Sequence, residues 1–306
     1  MRKRFGIIIV QEAGKHPIMR FKLFLLALLF CPFSVFGQEE SVTVKGRIVN
    51  EQGDPVEYVQ VGIPKLQIGT ISTADGQFEI SAPCDTLEFF HVSYQTGSYV
   101  VTGQADDVVV VLHENELPPA VFTGGNTREK YLLKPGTRIL GNMGVLAFVP
   151  ETGSTKGVEI GSVAKTKKPF LVQDIAFGIH SNSIPDCIVS VNIYRIEGED
   201  EFINVLRTPI YVNVAESSAK QAFHVQPKET ILLEPGKYFI SFQIVDCNED
   251  ALKAYLATPE PERDHSKMSL CSSIYLKSSY IRKAALGKME SLPVNIGMVV
   301  KGLEYR

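Results

Sequence analysis

Apolar and polar positions alternate with a period of two along most of this chain. Between residues 42 and 112 the alternating runs are short, and turn residues recur about every 8 to 12 positions, which predicts short antiparallel strands in a β-sandwich. The first strand is expected over 42–49, with Val42, Val44 and Ile48 on one face. Gly53 lies in the turn that follows, and Pro55 opens the next run, where its missing N–H is not needed. Strand two is expected over 56–63, with Val59 and Val61 on one face. Asp75-Gly76 reads as a hairpin turn that needs a positive φ, after which Phe78 and Ile80 point to the core. Runs at 87–94, 97–102 and 107–112 bring the total to about seven strands. No helical periodicity interrupts them, so no crossover that would build a parallel sheet is expected.

Residues 117–157 are rich in Gly and Pro and carry little periodicity, so they read as a connector. The apolar piece at 144–149 is expected as an edge strand. From residue 158 the strands return and lengthen. Ile175, Phe177 and Ile179 share a face; so do Val189, Val191 and Ile193, with Ser190, Asn192 and Arg195 opposite. After the Glu234-Pro235-Gly236 turn, Tyr238, Ile240, Phe242 and Ile244 are expected inward, Ser241 and Gln243 outward. Val294, Ile296, Met298 and Val300 alternate in the last run. Clean alternation implies one buried face per sheet, as in antiparallel sandwiches. One helix is expected, capped by Asp246 or Asn248, with Glu249 and Asp250 in its first turn, Leu252, Tyr255 and Leu256 as its apolar stripe, and Pro259 as its stop. The charged loop 258–267 is the kind of insertion that often carries recognition. The fold class is therefore all-β: a seven-stranded sandwich over 38–116, a connector over 117–157, and a second antiparallel sandwich with one short helix over 158–306.

Gly46, Gly53-x-Pro55-Val56, Val61, Gly69-Thr70, Gly76-x-Phe78 and Val92-Ser93-Tyr94 together resemble the carboxypeptidase regulatory-like domain, which is transthyretin-like in fold. Ser72-Thr73 stand where that family usually has Thr-Asp, and Thr96 replaces a glycine. The resemblance implies a non-catalytic module, often N-terminal in Gram-negative envelope proteins, including TonB-dependent transporters. Residues 116–124 resemble a degraded form of the segment that follows the module in those transporters. Too few residues follow for a plug and a barrel of about 22 strands. The second sandwich resembles, more loosely, the jelly-roll-like domains found beside regulatory-like modules.

Composition narrows the setting. The chain has 306 residues, 44% hydrophobic and 21% charged, which suits two folded domains. The apolar run 23–36 falls short of a span of about 20 residues. With basic residues Arg20 and Lys22 before it and Gly37 at its end, it reads as a secretory signal peptide. Residues 1–37 are thus an upstream extension plus signal, with Met19 as an alternative start. They hold six Lys/Arg and one Glu, so the remainder carries 25 basic and 33 acidic residues, a formal −8. That argues against nucleic acid and against a general attraction to anionic lipid. The expected location is the periplasm or the outer-membrane surface, with no transmembrane span in the mature chain.

Candidate chemistry is sparse. Among the mature cysteines Cys84, Cys187, Cys247 and Cys271, the favoured disulfide is Cys187–Cys247, each at an end of a predicted strand; the alternative is four small buried hydrophobes. His113-x-x-Glu116, with His224 far downstream, matches a zinc-peptidase spacing, but a two-position pattern is weakly specific. His180 near Asp186 reads more simply as a strand-end residue than as a base. Loops at Asp186 and Asp246 lack an ordered calcium pattern. No nucleophile elbow, phosphate loop or dinucleotide fingerprint is present. No cofactor is expected. A non-enzymatic interaction, adhesion or scaffolding module, contacting an envelope protein or polysaccharide, is the leading expectation. The rival is a glycan- or polymer-binding accessory of an outer-membrane uptake system, using Tyr194, Tyr211, Tyr275 and Tyr280; the absence of Trp weighs against it. A zinc carboxypeptidase is the remote third.

Overall fold

The computed structural model describes residues 41–115, 125–138, 145–148, 156–198 and 201–306. The stretch read as a signal peptide, with Cys31 in it, and Glu116 lie outside them. The described chain is 57% strand.

The first sandwich is built from β1 (Val42–Asn50), β2 (Gln60–Ile63), β3 (Ile68–Ile71), β4 (Gln77–Ala82), β5 (Thr86–Phe90), β6 (Gly97–Val100) and β7 (Ala105–Leu112). Sheet β4-β1-β7 packs on sheet β3-β2-β5-β6. Their core holds Val44, Ile48, Val59, Val61, Phe78, Ile80, Leu87, Phe89 and Leu112, the side chains that the alternation points inward. Two expectations need correction. β1 and β7 pair in parallel, Arg47 opposite Val109 and Ile48 opposite Val110. A parallel pair needs a long crossover, and here the whole second sheet supplies it in place of a helix. The Asp75-Gly76 turn does hold Gly76 at φ +72°, yet β3 pairs with β2 and β4 with β1. The turn is thus a corner that passes the chain from one sheet to the other.

The second sandwich comprises β8 (Thr127–Leu133), β9 (Thr137–Arg138), β10 (Val145–Phe148), β11 (Glu159–Thr166), β12 (Phe170–Asn182), β13 (Cys187–Glu197), β14 (Glu201–Asn204), β15 (Tyr211–Val214), β16 (Gln221–Val225), β17 (Ile231–Leu233), β18 (Gly236–Asp246), β19 (Leu270–Leu276), β20 (Ser279–Arg282), β21 (Glu290–Leu292), β22 (Asn295–Ile296) and β23 (Met298–Tyr305). One sheet runs β10-β19-β12-β23-β8, with β16 and β17 on β12, and β9 and β22 on β19; the other runs β14-β13-β18-β11-β20-β21, with β15 on β13. Between them Phe170, Ile175, Phe177, Val189, Val191, Ile240, Phe242 and Met298 fill the core. The stretch read as a connector contributes β8 and β10. β10 is the edge strand expected at 144–149. β8 escaped notice because only Leu133 is buried; Arg128 and Lys130 instead pair with Glu304 on β23. Charge on both faces suits an edge strand and erases the period-two signal. Helix α1 (Glu249–Ala257) is capped by Asn248, whose side chain accepts the Ala251 N–H, and buries Leu252 and Tyr255.

A third correction concerns the outward set on β13 and β18. Ser190, Asn192, Ser241 and Gln243 are all buried, because the first sandwich and residues 283–289 cover that face. Tyr58 and Ile71 from the first sandwich pack with Val245 and Ala285 from the second. Gln60 Oε1 accepts from Arg282 Nη1 (3.4 Å) and the Leu286 N–H (3.3 Å), and Gln67 Oε1 from the Lys288 N–H (2.7 Å). At Ala285 the backbones nearly touch: a Cβ on Gly69 would lie 2.0 Å from the Ala285 carbonyl oxygen. Gly69→Ala should therefore cost about 1–3 kcal/mol, the usual range for overpacking. Gly103→Ala, whose Cβ meets nothing within 4 Å, should stay within about 0.5 kcal/mol. Urea unfolding of both variants checks this.

Candidate functional site

The four candidate tyrosines do not converge. Tyr194 on β13 is buried, and its hydroxyl donates to Glu159 Oε2 at 3.2 Å. Burial, with the Glu159 charge adding, pushes that hydroxyl far up, so it is a neutral packing group rather than a ligand contact. Tyr280 on β20 lies edge-on against Phe202 (4.9 Å) and Phe239 (5.8 Å), with Lys237 Nζ 3.3 Å from its hydroxyl. Tyr211 opens β15 at the seam, edge-on to Tyr58 at 4.8 Å. Tyr275 on β19 lies over Gly297, filling the place a side chain would take there.

Alternation could not reveal the polar cluster beneath Tyr194, since its members look like solvent-facing residues. Glu159, fully buried on β11, accepts from Ser241 Oγ (2.6 Å) and Asn192 Nδ2 (3.0 Å) and pairs with Arg282 Nη1 (3.3 Å). The Arg282 guanidinium sits 5.3 Å from the Tyr194 ring centroid, a cation–π distance. Glu159 and Arg282 are both buried, so the cluster ties the strands of the seam together from inside. Beside it a cavity of about 30 Å³, lined by residues of both sandwiches including Gln60, His91, Asn192 and Tyr211, has room for little more than water. His91 takes the Ser93 N–H on Nδ1 (3.2 Å) and faces the Tyr211 hydroxyl with Nε2 (3.4 Å). Burial lowers its pKa to about 4.

The other candidates are occupied by protein contacts. His113 Nδ1 meets Glu51 at 2.6 Å, and His224 Nδ1 meets Asp174 at 3.2 Å on the other sandwich, so the two histidines of the remote zinc reading stand apart, each beside a carboxylate. Asp246 pairs with Lys156 at 2.9 Å, and Asp186 accepts from Asn248 at 3.0 Å, which leaves no calcium loop. Among the described residues no group of three His, Cys, Asp or Glu is placed to hold a metal. His180 is exposed at the far end of β12. Cys187, which opens β13, and Cys247, which follows β18, are both buried in the core of the second sandwich.

One accessible feature is a groove where the edges of the two sheets of the second sandwich meet. β15 ends one sheet and β16 the other. The depression between them has a volume of about 810 Å³, with Tyr211, Phe223, Asn213, Gln226 and Lys228 among its walls. One end is closed by Glu229, whose carboxylate accepts the N–H groups of Arg207 (2.9 Å) and Thr208 (3.1 Å). Phe223 and His224 also line a second hollow of about 200 Å³ that reaches Lys220, Tyr275 and Pro135. The two hollows share Phe223 and His224 in their walls; Tyr211 lines the larger and Tyr275 the smaller. Tyr194 and Tyr280 line neither.

No protein-family model and no curated protein matches the chain. Among solved structures, a DUF3823 family protein from Parabacteroides merdae is 8% identical, with 84% of this chain and 98% of that one covered and a TM-score of 0.20. The cysteine protease and lectin-like domains of a surface-layer-associated protein of Clostridium difficile are 10% identical over 78% of this chain and 46% of that one, with a TM-score of 0.31; the chain spans under half of that structure. A candidate carbohydrate-binding protein from Bacteroides uniformis is 12% identical over 83% and 97%, with a TM-score of 0.21. All three likenesses are distant.

Two measurements probe the seam. Arg282→Met should destabilise by about 3–5 kcal/mol, the cost of leaving one member of a buried pair alone, and Glu159→Leu/Arg282→Met should cost less than the two single changes summed; a double-mutant cycle by urea unfolding reads this. His91 has a folded pKa below its unfolded value near 6.5, so its contribution is present above pH 6.5 and is lost as pH falls through about 4. Between pH 7 and 4 the wild type should lose roughly 3 kcal/mol more than His91→Gln.

Proposed function

We propose that this protein is an exported, non-catalytic binding module of a bacterial cell envelope, with the first sandwich, of carboxypeptidase regulatory-like type, serving as a rigid mount for the second. The ligand is an extended polymer, in the first instance a glycan, lying along the groove from Tyr211 past His224 to Tyr275. One observation carries this reading: two hollows share Phe223 and His224 and combine aromatic rings with amide, hydroxyl and charged groups of both signs. A sugar chain needs such a mixture, apolar ring faces beside a few oriented hydrogen-bonding groups. The formal charge of −8 on residues 38–306 favours a neutral or weakly cationic polymer over an acidic one.

Affinity electrophoresis of the full-length chain through polysaccharide gels, together with a glycan array, tests the reading. His224→Ala and Tyr275→Ala should each weaken retention by about tenfold, the scale of one lost aromatic or charge-assisted contact. Tyr131→Ala, on the exposed edge strand β8, should leave it unchanged. Absence of retardation by any polymer overturns the glycan reading. Capture of an outer-membrane protein through the same groove residues would move the assignment to a protein-scaffolding role.

A further inference from the structure

We propose that Cys187 and Cys247 form a disulfide that ties the start of β13 to the foot of helix α1. The antiparallel register of β13 and β18 sets Ile188 opposite Asp246. Beyond the bulge that follows Val189–Ile244, one step outward from Ile188–Asp246 brings Cys187, the first residue of β13, and Cys247, the residue after β18, and both belong to the same core cluster. Directly opposed residues on antiparallel strands have Cα atoms about 4.5–5.5 Å apart, within the range a disulfide spans. The two are distant in sequence and meet at one point. Cys84 is exposed on the first sandwich, and Cys271 sits on β19 in the opposite sheet, so neither shares this position.

The position also gives the bond something to hold. Cys247 immediately precedes the α1 cap Asn248, which in turn donates to Asp186 just before Cys187. Lys156 joins Asp246 and Glu249 on the other side of the same joint, at 2.9 and 3.0 Å. The joint thus already carries a hydrogen bond and two ion pairs, and the bond would close it covalently. It forms by exchange with the disulfide of a thiol–disulfide oxidoreductase or of oxidised glutathione. The two thiols lose two protons and two electrons and gain an S–S bond, while the oxidant's S–S bond is reduced to two thiols.

Timing follows from burial. In the reduced fold, burial, with Cys247 and Asp246 adding, lifts the Cys187 thiol to about 12. Thiolate, the attacking species, is then scarce and also shielded. In the unfolded chain both thiols have ordinary acidity. Oxidation therefore belongs to folding, and the finished bond is protected from outside reductants.

The test uses the full-length chain, reduced and unfolded, then refolded in a glutathione redox buffer, alkylated in denaturant and mapped by mass spectrometry. A linked Cys187–Cys247 peptide with Cys31, Cys84 and Cys271 alkylated is expected. Alkylation of all five cysteines, or a link to any other partner, overturns the proposal. The oxidised protein should melt roughly 5–10 °C above the reduced one, and Cys187→Ser should abolish that difference. Should the variant fail to fold, the wild-type peptide map decides alone. Reduced protein kept folded throughout should stay unlinked in the same buffer; rapid linkage there would overturn the folding-stage timing.

Discussion

Glu159 sits with no solvent contact on what would be the outer side of the second sandwich. A carboxylate in that place must be met by donors, because taking it from water costs several kcal/mol that only close partners offset. Ser241, Asn192, Tyr194 and Arg282 supply them, from β18, β13 and β20, so three neighbouring strands are bound to one pair of oxygens. Arg282 extends the link by reaching Gln60 of the first sandwich. Polar satisfaction on this face therefore presupposes that the two sandwiches are docked, and the apolar cluster of Tyr58, Ile71, Val245 and Ala285 excludes water around it.

This arrangement explains which parts of the structure were legible in the sequence. The alternating apolar sets of β1, β4, β12, β13 and β18 are buried as their spacing implies, since period two reads the inner face directly. The opposite faces were misread for a physical reason. Ser241 and Gln243 are polar whether they meet water or a second domain, and a pattern of types cannot distinguish the two. The same limit hid β8, whose charges pair across the sheet to Glu304. The parallel β1–β7 pair leaves no local signal, because its crossover is made by a sheet and not by a helix.

The candidate site was only partly visible for a related reason. Tyr211 and Tyr275 are half-buried beside accessible hollows, while Tyr194 and Tyr280 are absorbed into packing, and nothing in their immediate sequence separates the two cases. His224 reads in the sequence only as a distant zinc candidate; its place in the walls of both hollows depends on β16 pairing with β12, a long-range fact. Function here rests on where two sheet edges meet, a property of topology rather than of any local motif.

The placement of β23 carries a consequence for assembly. It comes last among the strands of its sheet, yet it lies in the interior, between β12 and β8. A nascent chain that has already delivered β8 and β12 leaves their hydrogen-bonding edges waiting until β23 emerges. High contact order of this kind makes for slow folding with exposed, adhesive intermediates. Such a sequence profits from protection of those edges until β23 has been made.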